Sequence, residues 1–178
     1  FEKKRSHYWL PAMGNVDLDI KNKWPFKFTL SEVQCGAGII MLKKLDAFNK
    51  IRINRAKKFI FSLKNFKELN FNENFKDKRH VYHLLSAYFK PNKKINRNNL
   101  INLLYKKYKI KCAIQYYPLY RYDLFKKMKV KKNICKNTDK FYDNMISFPF
   151  HLWMTNNSFN YLIRSVKKSL IELRESKS

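Results

Sequence analysis

A helix start followed by a long run of helical periodicity constrains this chain more than any other feature. Ser31-Glu32-Val33-Gln34 matches a capping box, in which the serine hydroxyl accepts from a backbone N–H one turn on and the glutamine side chain reaches back to the cap. From there Val33, Ala37, Ile40, Leu45, Phe48 and Ile51 recur at roughly helical spacing, and the pattern runs on through Ala56 and Phe59 to Leu63. One long helix, or two collinear ones, is therefore predicted over 31–63. Gly36 and Gly38 fall inside it, where each costs about 1 kcal/mol relative to alanine. Close packing of the helix start against another backbone is the expected compensation, with Val33, Ala37 and Ile40 facing protein rather than water.

The flanking segments read as a small mixed domain. Residues 1–30 look irregular, with Pro11, Gly14 and Pro25 as breakers and Tyr8, Trp9 and Trp24 as anchors. Asn65 to Lys78 is polar and turn-like. His80 to Phe89 reads as a buried strand closed by Pro91 and Asn92. Asn96 to Tyr108 carries Leu100, Leu103 and Leu104 on one helical face, and Ile110 to Tyr117 reads as a second strand ending at Pro118. A short helix at Tyr122 to Met128, another at Thr138 to Met145, a strand at Ile146 to Phe148 and a final helix at Asn157 to Leu173 follow. The sum is a small α+β domain over 65–178, with its helices on one side of a short sheet.

Composition removes several function classes. The chain has 178 residues with a net charge of +26, yet 45% of it is hydrophobic and 16% aromatic, which is core-forming material rather than a disordered tail. Lys and Arg are scattered through predicted helices, turns and strands together with Asn, Ile, Phe and Tyr, the set that AT-rich codons encode; we attribute the lysine excess to that composition rather than to a polyanion partner. Cys35, Cys112 and Cys135 have neither disulfide-framework nor zinc spacing, and reduced cytoplasmic thiols are expected. Ile39-Ile40-Met41-Leu42 is cut short by Lys43 and Lys44, so no membrane span is predicted. The run Phe1-Glu2-Lys3-Lys4-Arg5 lacks the apolar stretch of a signal peptide, and a chain opening on Phe1 reads as a piece of a longer protein or a processed product. No GxGxxG, P-loop, HExxH or nucleophile-elbow pattern occurs. His7 and His151 are single histidines beside aromatic residues, with nothing to suggest a metal.

Several motifs then line up in order. They are Arg5-Ser6-His7, Pro25-Phe26-Lys27-Phe28-Thr29-Leu30-Ser31-Glu32-Val33-Gln34, Leu42 with Leu45-Asp46, and Arg52 with Arg55-Ala56. After these come Val81-Tyr82-His83-Leu84, Gln115-Tyr116-Tyr117-Pro118-Leu119 and Ile146-Ser147-Phe148-Pro149. Together they resemble the DegT/DnrJ/StrS-type family of sugar-nucleotide aminotransferases, within the α/β superfamily of fold type I enzymes that use pyridoxal 5'-phosphate (PLP). The resemblance implies transfer of an amino group, from glutamate, to a nucleotide-linked keto sugar for glycan or cell-surface polysaccharide synthesis, on a PLP that acts as electron sink. It assigns residues 1–64 to the end of the large PLP-binding domain and a connecting helix, and 65–178 to the small C-terminal domain. The Schiff-base lysine falls upstream of Phe1, so the chain itself holds no catalytic residue and is expected to be inactive alone. A cytoplasmic homodimer is implied, with an active site built across its two-fold axis.

The resemblance also carries site residues over one at a time. Lys27 stands where the family has an asparagine that reaches the cofactor phosphate of the neighbouring subunit, four residues before a helix cap, where backbone N–H groups favour anions. The family arginine is replaced by Thr29. Gln115, at a place often held by histidine, keeps hydrogen-bonding capacity but does not titrate. Tyr116 and Tyr117, where a strand ends, are expected with Gln115 and His83 to contact substrate. Tyr120 is a further aromatic of the same loop. The alternative is a basic nucleic-acid-binding module in which Tyr116 and Tyr117 stack on bases; on the motif evidence a nucleic-acid partner is not expected.

Overall fold

The structure, a computed structural model, describes residues 9–11, 30–72, 78–92, 95–128 and 135–175. In chain order its elements are β1 (Trp9–Pro11), α1 (Glu32–Ser62), β2 (Leu69–Phe71), β3 (Leu85–Phe89) and α2 (Arg97–Tyr108), then β4 (Cys112–Ile114), a 3-10 turn at Leu119–Arg121, α3 (Asp123–Lys127), α4 (Lys136–Asn144), β5 (Met145–Phe148) and α5 (Asn156–Glu175). The capping box forms as the sequence suggests: Ser31 Oγ accepts from the Gln34 N–H at 3.3 Å, and Gln34 Oε1 accepts from the Ser31 N–H at 2.8 Å. One unbroken helix follows. At α2 the same device is built from asparagines, Asn96 capping the Asn98 and Asn99 amides while Asn99 reaches back.

Five strands pair in the order β1-β4-β5-β3-β2, antiparallel except for β1, which runs parallel to β4 with Leu10 opposite Ala113. Strand alternation puts Leu85, Ala87, Phe89, Cys112, Ile114, Ile146 and Phe148 on one face, all buried. Against that face pack Ala56, Phe59 and Leu63 of α1, Leu100, Ile101 and Leu104 of α2, and Phe159, Leu162, Val166 and Leu170 of α5. Phe59 sits at the centre, its ring centroid 5.1 Å from Phe148, 5.9 Å from Phe71 and 6.4 Å from Phe159. The second half of α1 thus shares one core with the small domain.

Several sequence expectations give way here. Of the strand expected over His80 to Phe89, only Leu85–Phe89 is extended. Tyr82 adopts a left-handed φ of 49° and donates its N–H to His80 Nδ1 at 3.1 Å, so the run turns before it pairs. The strand expected from Ile110 to Tyr117 shortens to Cys112–Ile114. Trp9–Pro11, read as irregular, is a strand because β4 offers it a free edge. Nor do all helices share one side of the sheet. Tyr88, alternating away from the core face, stacks on Phe141 of α4 with centroids 6.4 Å apart, so α4 covers the opposite face.

The largest departure concerns the first half of α1. Val33, Ala37 and Ile40 were expected to face protein, yet all three are exposed, Val33 to 83% and Ile40 to 56%. Ile39, Met41, Leu42 and Leu45 are exposed with them. Gly36 and Gly38, expected to be packed tightly, have nothing within 4 Å of where a Cβ would stand. The reason is reach: at 1.5 Å per residue the first half projects about 20 Å beyond the sheet, and no described element meets it. Its apolar residues lie on every side of the helix, and the two glycines, two positions apart, lie about 200° from each other on nearly opposite faces. A helix apolar all round is the kind that elsewhere is buried all round.

Candidate functional site

The loop leaving β4 carries three of the five residues singled out from sequence. Its first residue, Gln115, is half-buried and donates its backbone N–H to Met145 Sδ at 3.3 Å. Next comes Tyr116, 51% exposed, then Tyr117, half-buried, then a buried Pro118. The two tyrosines therefore divide their duties. The Tyr117 ring meets Tyr122 edge-on at 4.9 Å and Tyr142 at 5.5 Å, and its hydroxyl donates to the Arg121 carbonyl at 3.4 Å. Tyr116 presents ring and hydroxyl outward, free to lie against a ligand.

What holds the loop was not apparent from sequence. Arg121, at its far end, donates through Nε to Asp139 Oδ1 at 2.7 Å and through Nη1 to Asp143 Oδ1 at 2.8 Å, and its Nη2 adds contacts to both carboxylates. Its guanidinium also lies 5.4 Å from the Tyr142 ring centre. Asp139 and Asp143 are one turn apart on α4, so both carboxylates face the same way. The hydrogen bonds to Asp143 and Asp139 hold the arginine further above its already high pKa range. Tyr120 donates to Asp139 Oδ1 at 2.7 Å; partial burial first, and then that carboxylate, push its hydroxyl up to about 12. At neutral pH Tyr120 stays a neutral donor. The only sequence signal for this clamp was a pair of acids spaced i, i+4 in a chain that has 13 acidic residues in all.

His83 is not part of this cluster. It is exposed, in the bend before β3. The β4–β5 and β3–β5 pairings put Gln115 beside Met145, at the start of β5, and His83 beyond the Leu85–Phe148 pair, at its other end. Lys27 lies outside the described residues. His151 contributes only its carbonyl, which accepts from Arg55 at 3.3 Å.

A PLP enzyme needs a lysine enclosed at the cofactor aldehyde, an acid at the pyridine nitrogen and a cup for the phosphate. Among the lysines whose side chains are described none is buried, and the Asp139 and Asp143 carboxylates beside the loop are committed to Arg121. The described residues thus show no enclosed lysine. Among them, too, no group of three or more His, Cys, Asp or Glu could hold a metal, and no helix is long and apolar enough to cross a membrane. The cluster can bind and orient a ligand through Tyr116, but it offers no acid and base poised for proton transfer.

MJ1066 of Methanocaldococcus jannaschii, itself uncharacterised, is 28% identical over 151 residues, covering 84% of this chain and 39% of that protein. Among solved structures, Helicobacter pylori PseC, an aminotransferase involved in the biosynthesis of pseudoaminic acid, superimposes with a TM-score of 0.66 at 22% identity, over 83% of this chain and 39% of PseC. The aminotransferase from Psychrobacter cryohalolentis gives 0.73 at 14% identity, over 86% and 42%. At such identities the superpositions speak for the fold: a small α+β unit found within larger PLP-dependent aminotransferases. The chain spans about two fifths of the length of these relatives. Over residues 7–167 the sequence matches the family model itself, and the chain belongs to the DegT/DnrJ/EryC1/StrS aminotransferase family.

Proposed function

We propose that this chain is the C-terminal part of a PLP-dependent sugar aminotransferase that moves an amino group from glutamate to a nucleotide-linked keto sugar, in the cytoplasm, for glycan or cell-surface polysaccharide synthesis. The observation that carries the reading is the bare, all-round apolar first half of α1 in a chain of this family. A helix with Val33, Ile39, Ile40, Met41 and Leu42 in water is costly, since each fully buried aliphatic side chain is worth about 1.5–3 kcal/mol. The rest of a large PLP-binding domain, of which residues 1–64 are the C-terminal end and connecting helix, would cover it together with a second subunit, and Gly36 and Gly38 would let both backbones come close.

In this reading Lys27 reaches the cofactor phosphate across the dimer as a point charge. PLP supplies the electron sink when bound. This chain contributes positioning: Tyr117, Pro118 and the Arg121 clamp fix the loop, while Gln115 and Tyr116 meet the sugar or its nucleotide. His83, at the far end of the sheet, meets the same ligand only if the ligand is long. The direct test is amino transfer by the intact protein, with glutamate as donor and nucleotide-linked keto sugars as acceptors. Turnover that falls on Tyr116→Ala, with PLP retained, supports the reading. Turnover and KM unchanged in that variant would remove the loop from the site.

A further inference from the structure

The second half of α1 carries a surface that the proposed enzyme function does not use. On the side of the helix away from Ala56 and Leu63 stand Lys57, Lys58, Phe61 and Lys64. A groove lies on each flank. One, about 460 Å³, runs between α1 and α5 and is lined by Lys58, Ser62, Asn157, Asn160, Ile163 and Arg164. The other, about 670 Å³, opens between α1 and β2; Lys57, Lys64, Asn70 and Asn72 line it above an apolar floor that includes Phe71. No carboxylate lines either groove.

Among the described residues four cations of this chain meet acids, Lys107 with Glu172, Arg174 with Glu68, Arg79 with Asp46, and Arg121 with two aspartates, and none of the four lies on this face. Around α1, Lys57 and Arg164 make no hydrogen bond or ion pair among the described residues, and Lys58 donates to the Asn160 amide oxygen at 3.1 Å and lies 6.0 Å from the Phe159 ring centre, with no acid beside it. Between the grooves Phe61 is 68% exposed, with Lys64 Nζ 4.3 Å from its ring centre. A flat aromatic ring flanked by unpaired cations and amide donors is what an unstacked base on a phosphodiester backbone requires. A duplex would hide the base faces from Phe61. An acidic peptide would satisfy the lysines but has no use for the ring.

We propose that this face of α1, with Arg164 of α5, binds single-stranded nucleic acid, Phe61 stacking on one base and Lys57, Lys58, Lys64 and Arg164 neutralising backbone phosphates. The global charge of +26 does not make the case; the exposed Phe61 ring between two basic grooves without a carboxylate does. Four neutralised phosphates give a slope of log affinity against log salt of about −2.8, a loss of about 50-fold between roughly 50 and 200 mM salt.

The test is fluorescence anisotropy of the 178-residue chain with labelled oligo-dT and oligo-U of about twelve nucleotides, across that salt range. Phe61→Ala should weaken binding about tenfold with the slope kept, and Lys57→Gln with Lys58→Gln should flatten the slope by about 1.4. Phe61 is mostly in water, so its removal leaves the core intact, and circular dichroism checks that. Lys136→Gln with Lys140→Gln on α4 removes as much charge from the opposite face and should change affinity by less than about twofold, beyond ordinary screening. Preference for oligo-U over oligo-dT would name RNA as the ligand, and the reverse DNA. The proposal is overturned if Phe61→Ala binds like the parent, if both lysine pairs cost the same, or if polyglutamate displaces the oligonucleotide while Phe61→Ala is silent.

Discussion

The two halves of α1 should respond oppositely to truncation, and Phe59→Ala against Ile40→Ala makes the comparison. Phe59 is fully buried among Phe148, Phe71 and Phe159, with ring centroids at 5.1, 5.9 and 6.4 Å. Replacing it leaves a cavity the size of a ring in a core that spans three helices and the sheet. Phe→Ala changes of this kind cost about 3–5 kcal/mol. Because folded domains hold only about 5–15 kcal/mol in all, that is a large share of the stability. For a domain of about 150 residues each kilocalorie moves Tm by about 2–4 °C, so a drop of about 6–20 °C is expected. Ile40 is 56% exposed, and its truncation in the same chain should cost less than about 0.5 kcal/mol. Urea unfolding followed by far-UV circular dichroism reads both from the midpoints, provided the slope stays constant. Equal losses would mean that the first half of α1 packs as tightly as the second, and the case for a missing covering partner would fail.

Three smaller effects follow from named contacts. Arg121→Ala should free the 115–122 loop, raising amide exchange there while costing about 1–2 kcal/mol globally, since it removes hydrogen bonds to two partly exposed carboxylates; protection unchanged in that loop would refute the clamp. Glu68 is held below the ordinary carboxylate range by its paired hydrogen bonds to Arg174, which also lies over Phe66. A lowered folded-state pKa contributes stability that is present above the ordinary glutamate value and lost as pH falls through the lowered one. Glu68→Gln should therefore cost about 1 kcal/mol or less at pH 7, with the gap to the parent closing as pH falls below about 4; a gap that widens in acid would contradict the pairing. Burial pushes the Cys112 thiol up to about 12, so iodoacetamide near pH 8 should label the exposed Cys35 first and reach Cys112 only on unfolding.

How much of this was legible in the sequence depends on how local the cause is. Ser31 and Gln34 act across three residues, as do Asn96 and Asn99, and both helix starts fall where the sequence puts them. The Met145–Phe148 strand and the α5 helix have boundaries within a residue or two of the reading, because a buried run and a strong helical stripe announce themselves. Tyr82 does not. An aromatic in an apolar run looks like a strand residue, and only the left-handed turn, fixed with His80, removes it from the sheet. β1 was missed because three residues among breakers gain their strand character from β4, far along the chain. The clamp is the clearest case: Arg121 meets its acids across 18 and 22 residues, through a turn and α3. For the first half of α1 the apolar character was plain and the family motifs were in place, but periodicity cannot say whether anything within the chain reaches that far.

The most direct test of the central claim is whether this chain carries its own PLP chemistry. The 178-residue chain, given PLP and glutamate in excess, is reduced with borohydride, digested and mapped by mass, with amino transfer measured in parallel. Exposed lysines form Schiff bases indiscriminately, so the account predicts scattered, substoichiometric labelling and no turnover, and in the intact protein a single stoichiometric label on a lysine upstream of Phe1. One lysine within residues 1–178 labelled stoichiometrically, with measurable amino transfer, would contradict it.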